Sequence, residues 1–256
     1  IALDEGLITP NFGYNCFGSY GACGDPRKCE HHNAGHAANL QLALAYSCNS
    51  YFLQVFRMAI DNPKYASAKG GYVKWKEYMN AFGFGRKLGV DLPSENKANI
   101  PDTAQYNKDF GNPRYWNSCY MLTLGIGQDR MTATPLQLAN SMAFIANDGY
   151  YYTPHFVDSI ESETQEEAAQ LAPFRKKQKV TKIPKEYFDV IKEGMHDVTV
   201  YGTAAFIKVP GHDYCAKTGT AQNPHGKNHS LFVCFAPKDN PKIAVAVIVE
   251  NAGYGS

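Results

Sequence analysis

Apolar side chains recur at helical spacing in five stretches of the chain and at strand spacing in four more. Residues 1–38 carry little period: "IALDEG" reads as the end of a helix already under way, and the Gly-, Cys- and His-rich remainder as a loop excursion. Asn39 is placed to cap a short helix with Leu40, Ala43 and Leu44, and a second helix from about Ser50 aligns Tyr51, Phe52, Val55, Phe56 and Ala59. Ser47-Cys48-Asn49 therefore falls in the turn between two helices. A third helix over 72–82 presents Val73, Tyr78, Met79 and Phe82 on one side and stops at Gly83, while 83–133 is turn-rich with no long periodic run. In "TPLQLANSMAFIANDG" the cap Thr134, Pro135 at the first helical position and Gln137 predict a helix with a capping box that ends at Asn147-Asp148-Gly149.

Beyond residue 150 the period shifts toward strands. "YTPHFVDSIE" reads as strand, the charged stretch 162–182 as solvated chain, and 185–198 as a helix burying Tyr187, Val190, Ile191 and Val198. Segments near 213–221, 231–237 and 242–250 are strands joined by short links, which predicts an antiparallel sheet. The expected fold class is α/β: an antiparallel β-sheet flanked by helices, with a mainly helical lobe over 39–148, a sheet lobe over 149–256, the excursion 1–38 before them, and a cleft between the lobes.

Composition narrows the function. A formal net charge of +1 supplies no field for a polyanion, so nucleic acid is not an expected partner. The longest aliphatic run, 243–249, is seven residues, against about 20 for a membrane span. No period of 20–50 residues recurs, which excludes a repeat array.

The candidate chemistry lies in two short strings. Lys217-Thr218-Gly219-Thr220 on a strand offers a fixed cation, two hydroxyl donors, and a glycine where a substrate backbone could approach closely, which together make a clamp for a carboxylate and a carbonyl. Alone it also fits an ordinary strand end, and Ser47-x-Asn49 alone fits helix capping. Their order is what informs: Ser-x-Asn followed much later by Lys-Thr-Gly is the second and third motif of the penicilloyl-serine transferases, whose first is Ser-x-x-Lys.

With "LQLALAYSCNSYF", "FGFGRKLGVDLPSE", "LGIGQDRMTATPLQLANSMAFIANDG", "AKTGTAQ" and "LFVCFAPKDNPKIAVAVIVENAGYG" in that order, the chain resembles the transpeptidase domain of class B penicillin-binding proteins, of the elongation type, over nearly its whole length. The resemblance implies a β-lactamase/transpeptidase-like fold and peptidoglycan cross-linking by acyl transfer from D-Ala-D-Ala, with no cofactor for catalysis. It implies that Ser47 relays a proton to the departing amine, that Asn49 binds the acyl-side peptide, and that Lys217 supports the relay. Thr218 and Thr220 would hold the terminal carboxylate of a stem peptide or a β-lactam, with Gly219 between them and the Thr220 N–H in the oxyanion hole. It further implies a glycosyltransferase and other wall-elongation proteins as partners, and the periplasmic face of a bacterial inner membrane as the location. The same motifs serve D,D-carboxypeptidases and serine β-lactamases, and a β-lactam sensor or a non-catalytic scaffold of wall synthesis is an alternative of another class.

The nucleophile is not evident. The only Ser-x-x-Lys string, Ser94-Glu95-Asn96-Lys97, follows "VDLP" in a turn-rich stretch, whereas the chemistry needs serine and lysine on one helical face. We expect the nucleophile upstream of Ile1, the family's closing helix beyond Ser256, and the 256 residues alone to be inactive.

Seven cysteines are an odd set for a disulfide framework. Cys16, Cys23, Cys29, His31, His32, His36 and Cys48 crowd the first part of the chain, and three readings stay open: a structural zinc held by Cys16, Cys29, His36 and Cys48, a disulfide such as Cys16–Cys29, or free thiols. If Ser47 and Asn49 face a substrate, Cys48 between them points away from it. Cys215 and Cys234 read as small core residues, and Cys119 has no partner suggested by spacing.

Overall fold

One helical turn opens the chain, with Glu5 N donating to Ile1 O at 2.9 Å, and Gly6 (φ 69°) ends it. The computed structural model describes residues 1–31, 35–111, 116–179, 182–207 and 209–254; His32 lies outside them. The excursion folds back as a small antiparallel hairpin, β1 (Ser19–Tyr20) with β2 (Arg27–Lys28). Asn39 Oδ1 then accepts from Leu42 N at 2.8 Å and starts α1 (Leu40–Ala45). After a turn through Ser47, α2 (Asn49–Ile60) buries Tyr51, Leu53, Phe56 and Ile60, whereas Phe52 and Val55 are only half-buried.

α3 (Ala68–Ala81) starts earlier than the apolar pattern suggests, because Ser67 Oγ accepts from Gly70 N at 3.2 Å. Its buried face is Tyr72 and Trp75, and Val73 is exposed. The reason is tertiary: Tyr72 donates to Pro101 O at 2.5 Å and packs edge-on to Tyr106 and Trp116. Those partners come from a region where periodicity showed no element. It holds α4 (Thr103–Phe110), capped by Asp102, and a 3-10 segment (Ser118–Ile126), capped by Asn117. Only Tyr106 is buried in α4, too little to leave a period.

α5 (Pro135–Ala146) forms with both bonds of its capping box at 3.1 Å. Gln137 is buried, and its Nε2 also donates to Arg86 O (2.9 Å) and Lys97 O (3.0 Å), tying the preceding loop to the helix. The strand expected from 151 is brief: β3 (Tyr150–Tyr152) pairs antiparallel with β4 (Lys177–Lys179). Between them the charged stretch carries α6 (Gln165–Leu171), whose Thr164/Glu167 capping box is legible in the sequence. α7 (Lys185–Val200) and then β5 (Cys215–Ala221), β6 (His229–Ala236) and β7 (Ile243–Val249) complete the chain, the strands antiparallel in the order β5-β6-β7.

The inner sheet face, with Cys215, Val233, Phe235 and Ala244, packs on Met142 and Ala146 of α5 and Met195 of α7. Two glycines let α7 lie against α1. A Cβ on Gly194 would stand 2.8 Å from Leu44 Cδ1, and one on Gly202 would stand 2.2 Å from Ala45 O. This close approach lets Thr203 N donate to Ala45 O at 3.0 Å and brings Thr203 beside β5.

Cys23 and Cys119 form a disulfide across 96 residues of sequence, and Cys16 and Cys29 are free thiols. This corrects two readings: Cys119 has a partner, and the Cys16–Cys29 pairing is not formed. The bond ties the hairpin tip to the 3-10 segment, a meeting that local spacing cannot reveal.

Candidate active site

Ser47 is a non-glycine residue in the left-handed region (φ 51°), a conformation that costs about 1–2 kcal/mol. The turn between α1 and α2 holds it there, with Ser47 N on Leu44 O (3.1 Å) and Cys48 N on Ala43 O (2.9 Å). The return for that strain is aim: Ser47 Oγ accepts a hydrogen bond from Lys217 Nζ at 2.6 Å, 170 residues away. Lys217 Nζ also donates to Thr218 O at 2.9 Å. Among the described residues no carboxylate pairs with it, and burial pulls its pKa down to about 8.

The neighbouring groups complete a polar wall. Thr218 is buried, with Oγ1 2.9 Å from Thr203 Oγ1. Gly219 leaves room above Leu231, to whose Cβ an added methyl would come within 3.3 Å. Thr220 O accepts from Gln128 Nε2 at 2.9 Å. On the opposite wall Asn49, first residue of α2, donates from Nδ2 to Lys28 O at 3.1 Å. Ser47, Asn49, Lys217, Thr218, Gly219 and Thr220 all line one cleft of about 1090 Å³. Lys28 and Arg27, with Glu30 and Asp129, place both signs of charge around it, so the cleft suits a zwitterionic or peptide ligand rather than a polyanion.

Ser94 and Lys97 are both exposed in a non-helical stretch outside this cleft. What organises that loop is Glu95, whose carboxylate accepts from Leu88 N (2.5 Å), Gly89 N (2.8 Å) and Val90 N (3.2 Å). Among the described residues no Ser-x-x-Lys lies on a helix. His229 Nδ1 accepts from Asn251 N at 3.1 Å and serves as a strut at the end of the sheet.

Cys48 faces away from the cleft and is fully buried. Its Sγ, with Cys16 Sγ, Cys29 Sγ and a ring nitrogen of His36, forms a buried group whose donor atoms all lie within 4.8 Å of one another. Cys29 and Cys48 Sγ are 3.8 Å apart. Their shared hydrogen bond draws the Cys29 thiol down to about 4, against the effect of burial, and pushes Cys48 up.

Thr203 and Gln128 were not recognised from the sequence. Thr203 sits in "GTAAF", which has no chemical signature of its own. Gln128 belongs to "IGQ", a string that carried resemblance but no role.

The transpeptidase domain model of penicillin binding proteins matches residues 1–256. Peptidoglycan D,D-transpeptidase MrdA of Escherichia coli K12 is 32% identical over 242 residues, 86% of this chain and 35% of that protein. The Acinetobacter baumannii protein of the same name is 34% identical over 238 residues, 86% of this chain and 33% of its own. The crystal structure of Pseudomonas aeruginosa PBP2 in complex with WCK 5153 is similar with a TM-score of 0.78 at 28% identity, over 99% of this chain and 54% of that one. The chain spans about a third of the length of the curated relatives it matches. Motif order, a helix-flanked antiparallel sheet and these likenesses agree, and the chain belongs to the penicillin-binding protein transpeptidase domain family.

Proposed function

We propose that these residues form the donor-peptide cleft of a D,D-transpeptidase that cross-links peptidoglycan stem peptides by acyl transfer from D-Ala-D-Ala and is a target of β-lactams. The observation that carries this is the 2.6 Å Lys217–Ser47 contact at the floor of a cleft walled by Thr218, Thr220 and Asn49. Thr218 and Thr220 hydroxyls and the Lys217 ammonium hold the terminal carboxylate. Asn49 exchanges its bond to Lys28 O for the acyl-side peptide, and the Thr220 N–H stabilises the oxyanion. Ser47 passes a proton to the departing D-alanine amine, and Lys217 replenishes it. The attacking serine belongs to a helical Ser-x-x-Lys that these residues do not contain, so alone they bind and do not turn over. In the full protein we place this domain on the periplasmic face of the inner membrane, beside a glycosyltransferase and other wall-elongation proteins. No described helix is long and apolar enough to cross a membrane.

The binding half is tested with a D-Ala-D-Ala-terminated peptide by equilibrium titration. We expect saturable binding at pH 7, lost in Lys217→Ala. It should weaken several-fold as pH rises through about 8, because the ammonium that attracts the carboxylate is present below that value and neutral above it. An affinity flat from pH 6.5 to 9.5 would rule out the ammonium as part of the clamp.

We also propose that Cys16, Cys29, His36 and Cys48 hold a structural zinc ion. Zn–S bonds of about 2.3 Å in a tetrahedron set sulfurs about 3.8 Å apart, and Cys29 and Cys48 Sγ already stand 3.8 Å apart. A donor set of three sulfurs and one imidazole, all buried, suits zinc in a closed site with no open position. Its place behind Cys48 would brace the strained Ser47 turn. Elemental analysis should find one zinc per chain, and Cys48→Ala should lose it; metal-free protein with equal thermal stability would refute the assignment.

A further inference from the structure

Gln128 is a cleft residue to which the proposed chemistry gives no task. It sits between two left-handed residues, Gly127 (φ 73°) and Asp129 (φ 71°), and its backbone N–H is fixed to Thr123 O at 3.0 Å. The turn closing the 3-10 segment thereby sends the side chain across the cleft, where Nε2 donates to Thr220 O at 2.9 Å. Thr220 is on β5, which among the described residues is an edge: in the order β5-β6-β7 it pairs there only with β6. An edge strand in a cleft is a template on which an extended peptide can lie, its N–H groups donating to the strand's carbonyls. Two β5 carbonyls of cleft residues are already engaged by side chains, Thr218 O by Lys217 Nζ and Thr220 O by Gln128 Nε2. Lys217 is held by a second bond, to Ser47.

We propose that Gln128 is a gate on the β5 edge: its amide stands in for a substrate peptide N–H on Thr220 O and is displaced when an extended peptide docks there. This rests on the peptide-binding reading of the cleft. Displacement exchanges one neutral N–H···O=C bond for another, so Gln128 lowers affinity by about the worth of one such bond while keeping the edge satisfied in the empty cleft. It also selects ligands, because a peptide lacking an N–H at that position cannot replace the amide it expels.

The test is an NMR titration of the 15N-labelled chain with a D-Ala-D-Ala-terminated peptide. Backbone signals of Lys217 and Thr218 report binding, and the Gln128 side-chain NH₂ signals report the gate. On saturation we expect the Gln128 NH₂ signals to move to the position of an unbonded amide. Gln128→Ala and the uncharged, near-isosteric Gln128→Met, which has no N–H to donate, should each bind about fivefold more tightly than the parent. Folding of each variant is checked by its backbone spectrum, and the near-isosteric Met variant keeps the test open if the Ala variant does not fold. If the parent binds while Gln128 NH₂ stays put, or the folded variants bind equally or more weakly, the gate is wrong and the cleft reading stands. If Lys217 and Thr218 do not respond in any protein, both are wrong.

Discussion

Fluorescent penicillin is expected to leave these 256 residues unlabelled, while a chain extended upstream through a helical Ser-x-x-Lys labels under the same conditions. Acylation needs a hydroxyl whose proton can be taken, and the two serines that could compete each lack that condition. Ser94 is exposed in a non-helical stretch, with Lys97 exposed beyond it. Ser47 is in the cleft beside a lysine, which makes it the sharper challenge. With burial lowering its pKa only to about 8, however, the Lys217 amine is mainly protonated at pH 7 and donates to Ser47 Oγ, so it cannot also accept its proton. Transition-state stabilisation without a nucleophile leaves only binding. The check is gel fluorescence followed by peptide mass spectrometry. Label on Ser47 at pH 7 would overturn its assignment as a relay.

Breaking the Cys23–Cys119 disulfide is expected to cost up to about 4.7 kcal/mol of stability, the chain-entropy value for a loop of roughly 100 residues. Domains of this kind are stable by about 5–15 kcal/mol, so the loss is a large fraction of the total. The bond also has a local duty. Cys23 packs against the buried cluster of Tyr20, Leu53 and Leu122, and it holds the hairpin whose Lys28 carbonyl receives Asn49. Urea denaturation with and without a thiol reductant should show the midpoint falling on reduction. Cys23→Ser/Cys119→Ser should start at the lower midpoint and respond little to reductant. A loss below about 1 kcal/mol would mean that packing, not the cross-link, holds the hairpin down.

Where sequence reading succeeded, the signal was local. The caps at Asn39 and Thr134, the end of α3 at Gly83 (φ 98°) and the three antiparallel strands each depend on residues within a few positions of one another. The local placement of Ser47 in a turn and of Lys217 on a strand is of the same kind, since two short elements suffice for it. Cys48 was also placed correctly, because successive residues at a helix start point in different directions. Errors came where distant groups decide. The buried face of α3 follows Tyr106 and Trp116, from a region with no periodic run. The helix in the charged stretch 162–182 is a different case: its capping box is local, but with only Leu171 buried it leaves no apolar period.

By itself, then, the sequence determined the helices and strands that carry a clear apolar period, and it offered six residues as candidates to meet a peptide. The tertiary structure alone decided that those six share one cleft, that Ser47 accepts the left-handed conformation that aims it at Lys217, and that Cys23 finds Cys119. It alone placed Gln128 on Thr220, 92 residues away. The physical reason is the range of the forces involved. Capping and periodicity act within a turn or two of chain, whereas burial, a hydrogen bond between residues distant in sequence or a cross-link depends on which surfaces the fold brings together.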